Sequence, residues 1–160
     1  MKNKANKKND NKYIEMPIYN HGEKEPLLPY DERRYETKIK SKNETYEGEV
    51  IYDGDNVLKD GHGTVKRTRG KRKTAYTGGF KKDKFDGKGI YVCKDGVYEG
   101  QIKNGIPDGT VKVYLNRDGS AYNLKIRNGE TTSISEDEHD NMLNLMSRNK
   151  DVEQMNKYVK

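Results

Sequence analysis

The densest concentration of chemistry in the chain is Lys66-Arg67-Thr68-Arg69-Gly70-Lys71-Arg72-Lys73, six basic residues in eight. Guanidinium and ammonium groups crowded this closely attract carboxylates and phosphates. The run lies between the second strand of one repeat unit and Tyr76, so it is expected to project as an enlarged hairpin tip that binds an anionic partner: an acidic protein surface such as a tubulin tail, or anionic lipid. The competing interpretation is a solvated loop that merely discourages aggregation. Elsewhere the reactive side chains are scattered. His21, His62 and His139 lie in separate segments without ligand spacing, so structural or solvated roles are expected and no metal is. Cys93 is the single cysteine, which allows no internal disulfide; it is expected to be an ordinary strand residue in a reducing, intracellular compartment. Gly87-Lys88-Gly89 is followed by no helix and suits a hairpin turn, not a phosphate loop. No Ser/His/Asp or Cys/His set can be assembled, and many aspartates precede glycine, where turn formation explains them. The chain is expected to be non-catalytic and to need no cofactor.

The elements that carry these residues are set by composition. The chain has 160 residues, of which 30% are apolar and 36% charged, with a net charge of +6. That ratio supports one thin core and leaves the flanks unable to fold alone. There is no Trp and there are two Phe, against twelve Tyr and sixteen Gly, a mixture that suits a twisted sheet with stacked rings and glycine turns. The basic balance permits phosphate, acidic lipid or acidic protein as partner. Nucleic acid is not expected, because the aromatic residues belong to a repeat and no nucleic-acid-binding module is recognisable. No apolar run reaches the ~20 residues of a membrane span. Lys2 stands where N-myristoylation requires glycine, and neither a signal peptide nor a prenylation box is expected.

Self-similarity decides the organisation. Tyr46-Glu47-Gly48-Glu49-Val50 is followed by Gly61-His62-Gly63-Thr64-Val65, and Tyr76-Thr77-Gly78-Gly79-Phe80 by Gly87-Lys88-Gly89-Ile90-Tyr91 and Asp95-Gly96. Tyr98-Glu99-Gly100-Gln101-Ile102 leads to Gly105, Gly109, Val111 and Val113, and a fourth unit opens with Tyr122-Asn123-Leu124-Lys125-Ile126. The lead tyrosines are 30, 22 and 24 residues apart, a period that marks stacked supersecondary units. Asp-Gly or Asn-Gly pairs at 53, 60, 86, 95, 104, 108, 118 and 128 predict turns. Residues 37–45 read as a lone leading strand.

The flanks differ. Residues 1–36 are expected to be extended or disordered. They contain two apolar stretches, Tyr13–Tyr19 and Pro26–Tyr30, suited to a partner's groove or to this protein's own sheet. At the other end, Ser135-Glu136-Asp137-Glu138 reads as a capping box that starts a helix over about 136–158. Met142, Leu145, Met146, Val152 and Met155 form its apolar stripe, interrupted by Asn149.

The Tyr-x-Gly units with their Gly-x-Gly followers and Asp-Gly ends resemble the MORN (membrane occupation and recognition nexus) repeat. The second unit carries the pattern most fully, in Tyr76, Gly78, Phe80, Gly87, Gly89, Tyr91, Asp95 and Gly96. The third places Val111 where a glycine belongs, and the fourth places Leu124. The resemblance implies an all-β array: an elongated, twisted antiparallel sheet of successive hairpins over 37–130, about three and a half repeats. An N-terminal tail (1–36) and a C-terminal amphipathic helix (131–160) flank it. Tyr46, Gly48, Tyr76, Gly78, Phe80, Gly87, Gly89, Tyr91, Tyr98, Gly100, Gly105, Gly109 and Tyr122 are the expected stacking positions, with Gly48, Gly78 and Gly100 making room for rings of the adjacent repeat. Both sheet edges would be open unless covered, which leaves self-association as an option.

The resemblance further implies a scaffold that binds proteins in a large eukaryotic cytoskeletal assembly, with an axonemal (ciliary or flagellar) complex and tubulin or axonemal partners as the leading expectation. A peripheral adaptor at the cytoplasmic face of a cortical membrane is the alternative, and a regulatory subunit of an enzyme complex a third.

Overall fold

The computed structural model describes residues 12–14 and 34–160. Its sheet contains β1 (Lys12–Ile14), β2 (Tyr35–Ser41), β3 (Glu44–Asp53), β4 (Asn56–Arg69), β5 (Arg72–Lys81), β6 (Lys84–Cys93), β7 (Gly96–Lys103), β8 (Ile106–Leu115), β9 (Ser120–Arg127) and β10 (Glu130–Asn141). Two helices follow, α1 (Met142–Arg148) and α2 (Lys150–Val159). Spatial order equals chain order and every neighbour is antiparallel. Each hairpin is marginal alone and is stabilised by the next, as a repeat array requires. The predicted leading strand is β2. Of the two N-terminal apolar stretches, Tyr13 and Ile14 pair with Lys40 and Ile39 along the sheet edge. Residues 15–33 lie outside the described residues.

Two register rows organise one face. Gly48 sits opposite Gly63, Gly63 opposite Gly78, Gly78 opposite Gly89 and Gly89 opposite Gly100, after which Val111 and Leu124 continue the row. Two residues away runs Ile39, Tyr46, Val65, Tyr76, Tyr91, Tyr98, Val113 and Tyr122. The glycines do a different job from the expected one. Gly63 and Gly89 make room for the ring of the tyrosine on the preceding strand, since a Cβ there would strike Tyr46 and Tyr76 respectively. Gly48 and Gly78 instead admit the neighbouring backbone, because a Cβ would meet the Gly63 Cα and the Lys88 carbonyl. Gly100 likewise faces the Thr110 carbonyl and Val111. The rings thus come from the same hairpin and not from the next one.

Three of the expected turns are bends within strands. Asp60-Gly61, Asp86-Gly87 and Asp108-Gly109 lie inside β4, β6 and β8, where the ladder slips opposite 48–50, 78–80 and 100–102. The three glycines take φ of 107°, 91° and 85° there, the left-handed conformation such a bulge demands. The aspartates bolt hairpins together: Asp60 accepts from Lys82 N at 3.1 Å and Asp86 from Asn104 N at 3.3 Å, each at the tip of the next hairpin. The Asp83 N–H to Lys59 carbonyl and Gly105 N–H to Phe85 carbonyl bonds, 2.8 Å each, repeat the link in the backbone. One tip, Lys82-Asp83, holds φ of 47° and 74° without any glycine.

The C-terminal expectation is corrected. Ser135 to Asp137 pair with Asn123 to Ala121, so the capping-box residues belong to β10, and the sheet continues past 130 to Asn141. The fourth hairpin is thereby completed. A local cap gains about 1 kcal/mol, which a full strand ladder with Thr131, Thr132 and Ile134 outcompetes. The helix starts are capped by other residues. Asn141 accepts from Asn144 N, and Asn149, which breaks the apolar stripe, accepts from Asp151 N and Val152 N.

Each face has its own core. Ala75, Val92, Val97, Tyr114 and Ala121 occupy one cross-strand row, and Met142, Leu145, Val152, Met155 and Val159 bury against it with Met146 alongside. The expected apolar helix face therefore covers this protein's own sheet. On the opposite face, Tyr46, Val50, Tyr52, Val57, Val65, Tyr76 and Phe80 form the second core. Among the described residues, no helix is long and apolar enough to cross a membrane.

Candidate functional site

The basic run is an extended ladder and not a loop. Lys66 pairs with Ala75, Arg67 with Thr74, Thr68 with Lys73 and Arg69 with Arg72, leaving Gly70 and Lys71 as a two-residue turn. Strand alternation then sorts the charges. Lys66 and Lys73 share the helix face, each with its ammonium 5.4 Å from the centre of the Tyr158 ring. The Tyr158 hydroxyl lies 3.0 Å from the Thr68 hydroxyl and donates to the Arg67 carbonyl at 3.2 Å, so α2 is tied to this hairpin. Arg67, Arg69 and Arg72 lie on the tyrosine–glycine face, where with Thr74 and Tyr91 they line a pocket of about 170 Å³. Arg67 is already engaged: its Nε donates to Glu44 at 2.8 Å and its guanidinium lies 5.5 Å from the Phe85 ring centre. Arg69 and Arg72 are exposed. Neither has an acidic partner among the described residues, and two such guanidinium groups on one surface can hold a carboxylate or phosphate by paired N–H donation. Lys66 and Lys73 on the other face are turned toward the Tyr158 ring instead.

Beside that pocket the same face opens into an apolar groove of about 480 Å³. Tyr91 lines both, and the groove floor continues over Tyr98, Ile102, Val111, Leu124 and Ile126. The reason it is open is legible residue by residue. In the second repeat the Tyr76 ring lies over Gly89 and stacks on Phe85, centres 3.8 Å apart at 13°. Phe80 crosses Phe85 at 77° and seals the tip. In the third repeat Val111 occupies the position of Gly89, and Pro107 sits opposite Ile102 where Phe85 sits opposite Phe80. Tyr98 cannot settle on the backbone and remains 37% exposed. Its phenol is pushed up by burial first, with Cys93 and Asp95 adding. The buried Tyr76 phenol reaches about 12, again mainly through burial, and donates to the Gly79 carbonyl at 3.0 Å.

A polar cluster fixes α1 against the sheet. Asp140 accepts from Lys112 at 3.0 Å, Tyr114 at 2.9 Å and Arg148 at 3.1 Å. Burial opposes ionisation of Asp140, but Arg148, Lys112 and Tyr114 outweigh it and hold the carboxyl well below the usual carboxylate range. This arrangement is structural.

The remaining expected sites are brought together only in part. Cys93 is half-buried at the end of β6 and lines the groove, with Tyr122 half-buried in the tyrosine row. His62 and His139 are exposed on different strands, and His21 lies outside the described residues. Among the described residues no group of three His, Cys, Asp or Glu could hold a metal ion. Sequence reasoning missed Pro107, Val111 and Ile126 as groove-forming residues; the one signal was the departure of Val111 from the glycine pattern.

The family model of the MORN repeat matches residues 76–97 and 98–110. The first match covers the second repeat, and the other covers the third as far as residue 110, just before Val111. A search of the curated proteins returns no match.

Proposed function

From the MORN repeats that the chain carries, which fit a protein-interaction or membrane-binding role, we propose that it is a non-catalytic scaffold holding a protein partner. The observation that carries this reading is the apolar groove over Tyr98, Ile102, Val111 and Leu124, left uncovered by the described residues while the equivalent surface of the first two repeats is filled from within. Apolar surface of this kind is stabilised by a partner that removes it from water. The assembly proposed is cytoskeletal and of axonemal type, a choice that rests on the resemblance of short MORN arrays to components of such assemblies.

A second reading, a peripheral adaptor on anionic membrane, is favoured by the exposure of Arg69, Lys71 and Arg72 at one hairpin tip. Pelleting the full chain with microtubules and with anionic vesicles, side by side, separates the two. Tagged protein in ciliated cells should mark the cilium; a cortical signal with vesicle binding alone would replace the scaffold by the adaptor.

A further inference from the structure

We propose that the arginine pocket and the apolar groove form a single site, and that its occupant is an extended peptide segment of a partner protein in which acidic residues adjoin apolar ones. This rests on the scaffold reading above and names the partner's chemistry. Tyr91 lines both cavities, so a bound chain passes from one to the other across a single ring. The two ends differ sharply. Among the described residues no acidic side chain pairs with the exposed Arg69 and Arg72, whereas Arg67 is held by Glu44. Along the floor, the surface is supplied by Tyr98, Ile102, Val111 and Leu124.

From Arg72 on β5 to Leu124 on β9, which lies in the register row of Gly78, the site crosses four strand spacings, roughly 19 Å, and six residues along the strand, roughly 20 Å; an extended segment of about eight residues spans that diagonal of roughly 28 Å. The segment runs across the strands, so side chains and not ladder hydrogen bonds carry recognition. Its acidic residue meets Arg69 and Arg72, and its apolar residues lie toward Leu124. A bilayer is less suited, because the apolar surface forms a groove of about 480 Å³ lined from Phe85 to Ile126, which a flat surface does not fill. A flat surface reaches the arginines without removing the floor from water.

The test measures fluorescence anisotropy of labelled peptides titrated with the full chain. One peptide is Asp-Glu-Pro-Ser-Leu-Val-Pro-Leu, a sequence foreign to this chain; its twin carries Asn and Gln in place of the acids. The acidic peptide should bind about five- to tenfold more tightly at low salt, the size expected for two exposed charge pairs. R69A/R72A should erase that preference, and 0.5 M salt should do the same to wild type. P107F, which restores an aromatic opposite Ile102 and fills the floor, should weaken both peptides at either salt while its melting temperature stays near wild type. Lys157→Ala, a charge lost from the exposed side of α2 on the opposite face of the sheet, serves as control and should bind as wild type does.

Absence of peptide binding by wild type would overturn the proposal, as would equal affinity for both peptides. Anionic vesicles (phosphatidylcholine with phosphatidylserine) bound by wild type and lost in both P107F and R69A/R72A would overturn it in favour of lipid. If peptides fail but tagged protein still marks the cilium, the scaffold reading stands on another surface and only this inference falls.

Discussion

Replacing Gly89 with alanine tests the register that holds the array together. Gly89 lies between Gly78 and Gly100 in the glycine row, and the Tyr76 ring rests on it. An added Cβ would strike the hydroxyl, Cε1 and Cζ of that ring. Tyr76 is fully buried, stacked on Phe85 and crossed edge-on by Phe80, so it has no free direction of retreat. Overpacking of this type costs about 1–3 kcal/mol. Expelling the ring would instead forfeit roughly 1.5–3 kcal/mol of burial together with about 1 kcal/mol for the bond to Gly79. The molecule takes the cheaper route, so about 1–3 kcal/mol is expected, and a melting temperature lower by roughly 2–12 °C. Thermal and urea unfolding followed by far-ultraviolet circular dichroism would measure it. The comparison variant is Gly70→Asn: Gly70 has open space around it and φ of 64°, which asparagine tolerates, so its melting point should stay within a degree or two. A valine there would be a poor control, since a β-branched residue at that φ is strained. Equal shifts for Gly89→Ala and Gly70→Asn would refute the account of the tyrosine seat.

The same logic runs in reverse in the third repeat: Val111→Gly should let the Tyr98 ring settle on the backbone, lowering its reactivity toward N-acetylimidazole, and unchanged reactivity would show that Val111 is not what holds it out. Asp140→Asn should cost about 1–2 kcal/mol in neutral buffer by stripping charge from the Lys112–Tyr114–Arg148 cluster. Because the Asp140 carboxyl is depressed in the folded state, its contribution is full above the unfolded carboxylate pKa near 4 and is lost as pH falls below it toward the folded value. The Asn variant should therefore lose less stability than wild type between pH 5 and 2, and parallel acid-unfolding curves would exclude the cluster as a source of that pH dependence. Deleting 150–160 should expose Ala75, Val92 and Val97, producing binding of a hydrophobic dye and aggregation; a monomer that melts as wild type does would show that α2 is dispensable to the core.

The sheet was readable because glycine has few interchangeable substitutes. Gly48, Gly78 and Gly100 recur two residues after a tyrosine, and backbone approach at each admits no Cβ. What local pattern could not supply was the ranking of competing signals. Ser135-Glu136-Asp137-Glu138 satisfies a helix start, yet β9 offers Asn123, Tyr122 and Ala121 as ladder partners, and that fact resides in another segment. Asp60-Gly61 and Asp95-Gly96 look alike in sequence. The first bends a strand and its aspartate accepts from the next hairpin tip, while the second closes a turn, and the difference is set by what each is paired with. The basic run was found as composition, but its division into three arginines on one face and two lysines on the other required the strand ladder through Arg69 and Arg72.

The groove follows from an asymmetry that runs along the array. The residue four places after the lead tyrosine is Val50, Phe80, Ile102 and Ile126 in turn, fully buried in the first two repeats and half-buried in the last two. Opposite it stand Lys59, Phe85 and Pro107 in the first three repeats. Lys59 closes the first seat with its ammonium 5.4 Å from the Tyr46 ring centre, and Phe85 closes the second by stacking on Tyr76. Pro107 has neither the reach nor the ring area to close the third, and Val111 denies Tyr98 the space to compensate. The self-filled half of the sheet therefore serves as a rigid platform, and the unfilled half presents its floor at a fixed distance from Arg69 and Arg72. Rigidity of that kind lowers the entropy a partner loses on binding, because the floor does not have to be ordered at the moment of contact. A more regular array, with glycine at 111 and an aromatic residue at 107, would be a tighter sheet with less to offer a partner.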